Sequence, residues 1–589
     1  MNAQEFPQAW KSSFSSSPSK LTDFSADGSL VLGASETSAQ MLDGNTGASK
    51  WDIKFKDKFG VKTFDKVRWN DASGVVVLFN ADSKKEKGLQ VFIDDQTGNE
   101  LWRSSDYGGT DAQSYYNALH GLLDNYFESV KGFAVLNNTK SQLDMVEAKS
   151  GKALWSVPVT GNVSVGKAEG YNLCFTDDGN EVKYYDAETG KPVASVDFSK
   201  YALKSDRKTL YGGMAVSEEQ DRMATMTYQK RLVAGATGSK RKITVTCKKL
   251  SDASTQWATT FEGIVVTTLT TEEDLVSIDI VGDKVFAMYE GITVLDLATG
   301  KILWSADFDN SDVSVGLKAK QEIGISAMPF VDGNAVYVVD LKKDNDIKKY
   351  DAATGKILWE SPKMGKDPVV PNIVVADGVL IAQLGGRINV QTYIPGSNGN
   401  PDVYKSEYKF VGPYGLIAYG TDNGQVLWQT DKMKDVLKDK FSDRITDVQV
   451  ADGKAFVCSD KNLFCLDPKT GQPSFTTPLG DLKIGGPLQL TLDKKGGRIY
   501  VICDKGIAAF GMSDGKNIYA TKVGDILSDF SVGDNYFVWI GEDEFAGFDL
   551  ATGKVKGTFK GQTHPRLTPD GNYLFNFDGS KVQKYKINP

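Results

Sequence analysis

A chain of 589 residues with 68 Lys and Arg against 76 Asp and Glu carries a formal charge of -8, its two signs interleaved, and this excludes the basic footprint of a nucleic-acid binder. Hydrophobic residues at 40% exclude extensive disorder, and 59 glycines announce many turns. No run approaches the ~18 apolar residues of a membrane-crossing helix, and the presence of only two histidines excludes a His-rich metal site.

Met1 to Gln4 form neither a basic nor an apolar leader. Ala3 after a polar residue fits the stump of a small-residue cleavage site, so an exported chain whose leader is absent from this sequence is expected. EFPQAWKSSF (5–14) follows as a Trp-bearing strand with no strands before it. One pattern then returns: an alternating apolar strand, Asp-x-x-Thr-Gly, three residues and Trp. It reads LDGNTGASKW (42–51), IDDQTGNELW (93–102), VEAKSGKALW (146–155), YDAETGKPVA (185–194) and, one residue short, KLSDASTQW (249–257). The strongest copies are LDLATGKILW (295–304) and YDAATGKILW (350–359). YGTDNGQVLW (419–428), LDPKTGQPSF (466–475), FGMSDGKNIY (510–519) and FDLATGKVKG (548–557) complete the series. Lys240, Arg241 and Lys242 form the one strongly basic cluster and read as a solvated strand end or loop.

A period of about 45 to 50 residues with four strands in each is the signature of propeller blades. After Trp304 the unit reads EIGISAMPFVDG, NAVYVVDLKKDN, DIKKYDAATG and KILWES, two β-rich runs and then the motif hairpin. Asp at the third strand's end can accept the N–H groups two and three residues on, Gly takes φ > 0, and the stiff Thr suits a fixed turn. Trp on the outer strand can cover the gap between blades. These roles fall to Trp10, Trp51, Trp102, Trp155, Trp257, Trp304, Trp359 and Trp428, with Asp296, Gly300, Asp351 and Gly355 in the clearest turns.

At the far end GNYLFNFDGSKVQKYKI (571–587) supplies two strands and stops before any Trp. Trp10 is expected to complete that last sheet, giving an all-β propeller of about 12 four-stranded blades closed by the N-terminal strand. Twelve exceed the usual four to eight. Two rings are favoured over one, with the change of ring within 191–300, where 191–260 is least regular.

Asp296, Thr299, Gly300 and Trp304, with Asp351, Thr354, Gly355 and Trp359, resemble the quinoprotein alcohol dehydrogenase-like, or PQQ-like repeat, propellers over nearly the whole chain. The resemblance implies the fold; the family includes quinone dehydrogenases and also inert members of outer-membrane assembly machinery. A dehydrogenase of this type would carry adjacent cysteines and a Ca²⁺ held by Glu and Asn beside a catalytic Asp. Here Cys174, Cys247, Cys458, Cys465 and Cys503 are scattered, and Cys458 and Cys465 read as buried apolar residues rather than a disulfide.

His120 is expected on a short inserted helix and His564 at a turn. The acidic loop Asp307, Asp309, Ser311 and Asp312 lacks Gly at Asp312 and Glu at Lys318, so it reads as solvated rather than Ca²⁺-binding. GGRINV (385–390) continues wrongly for a nucleotide loop. No catalytic residue, metal or cofactor is therefore assigned.

Three units are over-long: 104–130 with Tyr107, Tyr115, Tyr116, Tyr126 and Phe127; 203–245; and 386–410 with Tyr393, Tyr404, Tyr408 and Phe410. Tyr-rich insertions with Gly, Ser and Asn suit partner docking, and local packing over the ring is the competing reading. The expected function is a non-catalytic scaffold for a protein partner in a bacterial envelope, periplasmic or at the cell surface, in an outer-membrane assembly or protein-secretion complex. Alternatives are a quinone- or sugar-active enzyme with its pocket on the axis, or a carbohydrate-binding propeller. The latter has only Trp69 and Trp539 outside the outer-strand position.

Overall fold

A computed structural model of the chain describes residues 4–80, 88–107, 125–137, 139–161, 163–168, 172–178, 181–197, 209–229, 240–251, 254–265, 277–289, 291–308, 321–323, 329–340, 346–365, 369–394, 403–541, 544–561 and 565–588. Among the described residues twelve antiparallel sheets account for the strands, and helix is confined to single turns such as Phe55–Phe59 and Lys434–Leu437. Blade 1 runs Leu21–Phe24, Leu30–Ala34, Ser38–Asp43 and Ser49–Lys54, and the plan repeats up to Lys554–Lys560 of blade 11. Middle strands such as Leu30–Ala34 are buried at every residue because each sheet is covered on both faces. Leu30 and Leu32 pack towards blade 2, whereas Val31 packs against Trp10 and Phe575 of blade 12.

Blade 12 joins the two ends of the chain. Arg566–Leu567, Tyr573–Asp578 and Lys581–Lys586 are completed by Gln8–Ser13, with Trp10 opposite Lys584 and Ser12 opposite Val582. The ends therefore interlock as expected.

The repeat motif is the joint between blades. Asp351 accepts the N–H groups of Ala353 and Thr354 at 3.1 and 2.8 Å and the Thr354 hydroxyl at 2.8 Å. Asp43 and Asp549 hold the same turn, and the threonine bonds keep all three carboxyls below the usual carboxylate range. Thr thus contributes a hydrogen bond as well as the stiffness expected of it.

Gly300 and Gly355 take φ of 70° and 68°, and each lies beneath the indole of the preceding blade. A Cβ at either would fall 2.4 Å from Trp257 or Trp304 respectively. The buried indole N–H finds the carbonyl one residue past the motif's Asp position, which is Gly420 in blade 8: Trp257 to Leu297 at 2.8 Å, Trp304 to Ala352 at 2.9 Å and Trp359 to Thr421 at 2.8 Å. Trp10, Trp51, Trp102, Trp155 and Trp428 do the same with Gly44, Asp95, Ala148, Ala187 and Pro468. Phe475 and Tyr519 cover Gly515 and Gly553 where Trp is replaced, and the Tyr519 hydroxyl donates to Leu550 at 2.7 Å.

These contacts link successive blades, except from blade 4 to 5 and from blade 11 to 12, and return from blade 12 to blade 1. Trp10 reaches Gly44 at 2.8 Å, Arg566 reaches Asp23 at 3.1 Å, and Lys584 donates to Gly28 at 2.9 Å. The twelve blades form one ring, which corrects the favoured two-ring reading. Two rings would have closed the last blade onto the second half of the chain.

EIGISAMPFVDG, expected as one strand, is divided: Phe330–Asp332 opens blade 7, while Gln321–Ile323 pairs with the long strand of blade 8. The five cysteines are free and buried, with Cys458 opposite Leu463 and Cys465 opposite Phe456. His120, His564, Asp309, Ser311, Asp312 and Lys318 lie outside the described residues.

Candidate protein-binding groove

Blade 8 departs from its neighbours in strand length. After Asn372–Ala376, its second and third strands, Val379–Ile394 and Val403–Gly420, continue past the sheet as a hairpin before Val426–Gln429 ends the blade. The register slips between Leu384 and Gly386, and a bulge of this kind re-aims the strand beyond it. Gly385 occupies the slip at φ 65°, where a Cβ would meet the carbonyl oxygens of Val411 and Pro413 at 2.6 Å. Beyond it Arg387 pairs with Phe410, Asn389 with Tyr408 and Tyr393 with Tyr404.

Two arginines cap the hairpin's aromatic residues. The Arg387 guanidinium stands 5.0 Å from the Tyr408 ring centre, and that of Arg444 stands 5.0 Å from Phe410 while pairing with Asp504 at 2.9 Å. Tyr408 remains 64% exposed, so its ring is available for contact.

The hairpin walls a groove whose floor is the first strands of the next blades: Gln449–Ala451 of blade 9, Pro487–Asp493 of blade 10 and Ile526–Val532 of blade 11. One part, of 610 Å³, lies between Asn372, Arg387, Asp447 and Lys494. The other, of 460 Å³, lies between Arg387, Tyr408, Leu490 and Leu527. Leu527 is 53% exposed there.

The floor is fixed from below. Buried Gln383 accepts the Val448 N–H at 2.8 Å and donates to Gly385 at 2.9 Å, Asn372 donates to Val448 at 3.1 Å, and Gln449 donates to Leu490 at 2.8 Å. Asp529 accepts the Tyr536 hydroxyl at 2.9 Å, and burial drives that hydroxyl's pKa upward. The groove thus offers a guanidinium, two carboxylates, an exposed aromatic ring and an aliphatic side chain on preformed strands. Among the described residues no group of three or more His, Cys, Asp or Glu converges to hold a metal ion.

Of the residues expected to meet a partner, Tyr408 lines this groove, and the backbones of Tyr393 and Tyr404 belong to its hairpin. Tyr107 and Phe127 are corrected. Phe127 is 1% exposed and fills the joint of blades 3 and 4; Tyr107 packs edge-on to Trp102 at 6.3 Å, and burial pushes its hydroxyl up to about 12. Neither presents a surface. Tyr126 is half-buried against Phe133 at 5.4 Å. Tyr115 and Tyr116 lie outside the described residues. Trp69 is buried and donates to Asp95 at 3.2 Å, so it forms no exposed platform; Trp539 packs on Phe530 and Phe545.

Sequence reasoning missed Arg387, Asp447 and Gln449. Arg387 sits in GGRINV, set aside as a failed nucleotide loop, although the alternation of 386–394 and 403–411 carried the signal of a hairpin.

A ring of four-stranded sheets latched by Trp-on-Gly joints defines a β-propeller of PQQ-like repeats. The sequence profile of the family described as outer membrane protein assembly factor BamB matches residues 7–173 and 280–402, just under half of the chain. Over these two stretches the chain is similar to the quinoprotein-like, PQQ-like repeat propeller family. No curated protein matches it in sequence. Among solved structures, BamB from Moraxella catarrhalis aligns with 13% identity and a TM-score of 0.29 over 72% of this chain and 96% of that one. The computationally designed Ika8 protein aligns with 12% identity and a TM-score of 0.24 over 79% and 98%.

Proposed function

We propose that the chain is a non-catalytic scaffold that holds a protein partner in a bacterial envelope, within an outer-membrane assembly or protein-secretion complex, and that it works in the periplasm or at the cell surface. The observation that carries this reading is the match of two separate stretches to a family described by outer membrane protein assembly. The groove adds a means: Tyr and Arg are the residues that dominate protein interfaces, and Tyr408 and Arg387 stand together at its mouth. Among the described residues no helix is long and apolar enough to cross a membrane. The array is taken to act as one continuous unit.

Affinity purification of the tagged chain from its native envelope tests this. A stoichiometric membrane or secretion protein, lost from the Arg387→Ala and Tyr408→Ala variants, is the expected result. A chain recovered alone, or a quinone spectrum and dye-linked oxidation after reconstitution with PQQ and Ca²⁺, would overturn it.

A further inference from the structure

Among the described residues eleven clusters of buried apolar side chains fill the joints of the ring, each drawn from two neighbouring blades. Twelve blades make twelve joints. Among the described residues no such cluster joins blade 4 (Ser164–Lys167, Leu173–Asp177, Glu181–Asp186, Pro192–Asp197) to blade 5 (Thr209–Ser217, Arg222–Gln229, Lys240–Lys249, Thr255–Val265).

The facing surfaces explain the gap. Ala224, Met226, Ile243, Val245 and Cys247 of blade 5 pack with blade 6. Strand alternation turns Thr225, Thr227, Thr244, Thr246 and Lys248 the opposite way, towards blade 4. Thr225 and Thr227 donate to carbonyls of their own sheet at 3.4 and 3.5 Å, and the hydroxyls of Thr244 and Thr260 meet at 2.9 Å. Opposite them, Phe175 and Tyr184 are register partners that stay half-buried, with rings 5.8 Å apart.

The Trp-on-Gly latch is missing here from both sides at once. Blade 4 has Ala194 where most repeats carry Trp, Phe or Tyr, and the blade 5 turn from Lys249 to Ser254 contains no Gly. Among the described residues Lys248 bridges the joint: its Nζ donates to the Ser195 carbonyl at 3.5 Å and stands 5.5 Å from the Tyr184 ring centre. Lys248 is 2% exposed, and burial pulls its pKa down to about 8.

We propose that the ring opens and closes at the joint between blades 4 and 5 while the eleven apolar joints stay shut, so that the propeller is a split ring. Parting an apolar joint returns its buried surface to water at roughly 25 cal/mol per Å². Parting this one breaks a long hydrogen bond and a cation–π contact and lets a buried ammonium regain its hydration. The threonine hydroxyls keep their bonds within blade 5, so opening strands no polar group. The inference is independent of what the groove binds.

Nitroxide labels on cysteines introduced at Glu188 and Ser254 span the seam, and labels at Ala298 and Ala353 span blades 6 and 7 as the control joint. The five native thiols are buried and stay unlabelled. Pulsed distance measurements on the full chain should show a second, longer population for the seam pair and a single narrow one for the control. Lys248→Met, which replaces the ammonium with an apolar chain, should remove the longer population. A wild-type seam pair as narrow as the control overturns the proposal, and that comparison decides whether or not the variant folds.

Discussion

Trp304 of blade 6 lies on Gly355 of blade 7 so closely that a Cβ at that glycine would sit 2.4 Å from the indole, while the indole N–H donates to Ala352 at 2.9 Å. One residue therefore meets two demands, a backbone φ of 68° and a flat surface for the neighbouring ring.

Gly355→Ala fails both demands, and Gly60→Ala fails only the first, since Gly60 has φ 76° with nothing within 4 Å of the added Cβ. Urea unfolding should show a loss of about 1 kcal/mol for Gly60→Ala and roughly 2–4 kcal/mol for Gly355→Ala. Equal losses would mean that the ring contributes nothing to the requirement for glycine.

Replacing Trp304 itself separates area from hydrogen bonding. Trp304→Ala leaves a cavity at the joint and should cost about 3–5 kcal/mol. Trp304→Phe keeps an aromatic cover, as Phe475 does over Gly515, and should cost less, with about 1 kcal/mol of its loss due to the missing bond to Ala352. Thermal unfolding of both variants checks the order.

Lys248 carries a pH dependence. In the folded chain its pKa is pulled down to about 8, while the unfolded lysine titrates near ~10.4. Between those values the unfolded chain holds the extra proton, so stability rises with pH; below pH 8 both forms are protonated and the burial cost is constant. The unfolding free energy of wild type relative to Lys248→Met should therefore climb by on the order of 3 kcal/mol from about pH 7.5 to 10.5. A pH-independent difference would show that the ammonium is not buried in solution.

In the groove, Arg387→Ala and Tyr408→Ala should leave the unfolding midpoint nearly unchanged, because Tyr408 is exposed and the floor is held by Gln383 and Asn372. Each should weaken capture of the envelope partner by about tenfold or more if the pair is central to the interface. Leu154→Ala, on an exposed outer strand of blade 3, should leave capture unchanged. Equal recovery with all three variants would move the docking surface elsewhere.

Much of the architecture was legible because it is local. The turn built on Asp351, Thr354 and Gly355 spans five residues, and its bonds are set by side-chain chemistry within that span. Pairing Trp10 with the last sheet was also readable, since strands had to be missing at one end and left over at the other. Other features depended on distant partners. Tyr107 and Phe127 looked like surface residues in a Tyr-rich insertion, yet Trp102 and the joint of blades 3 and 4 enclose them. The weak copies at 185–194 and 249–257 were visible singly; their shared joint emerged only once Trp was seen to sit on the next blade's Gly.

By itself the sequence determined how many sheets form, how each turns and which strand completes the last, because alternation and turn chemistry act over a few residues. Tertiary structure alone decided that the sheets make one ring, that blade 8 extends a hairpin over the first strands of blades 9 to 11, and that among the described residues one joint shows no apolar cluster. Those outcomes depend on which faces meet across gaps as long as that between Asp23 and Arg566, and face-to-face packing leaves no local mark in either partner.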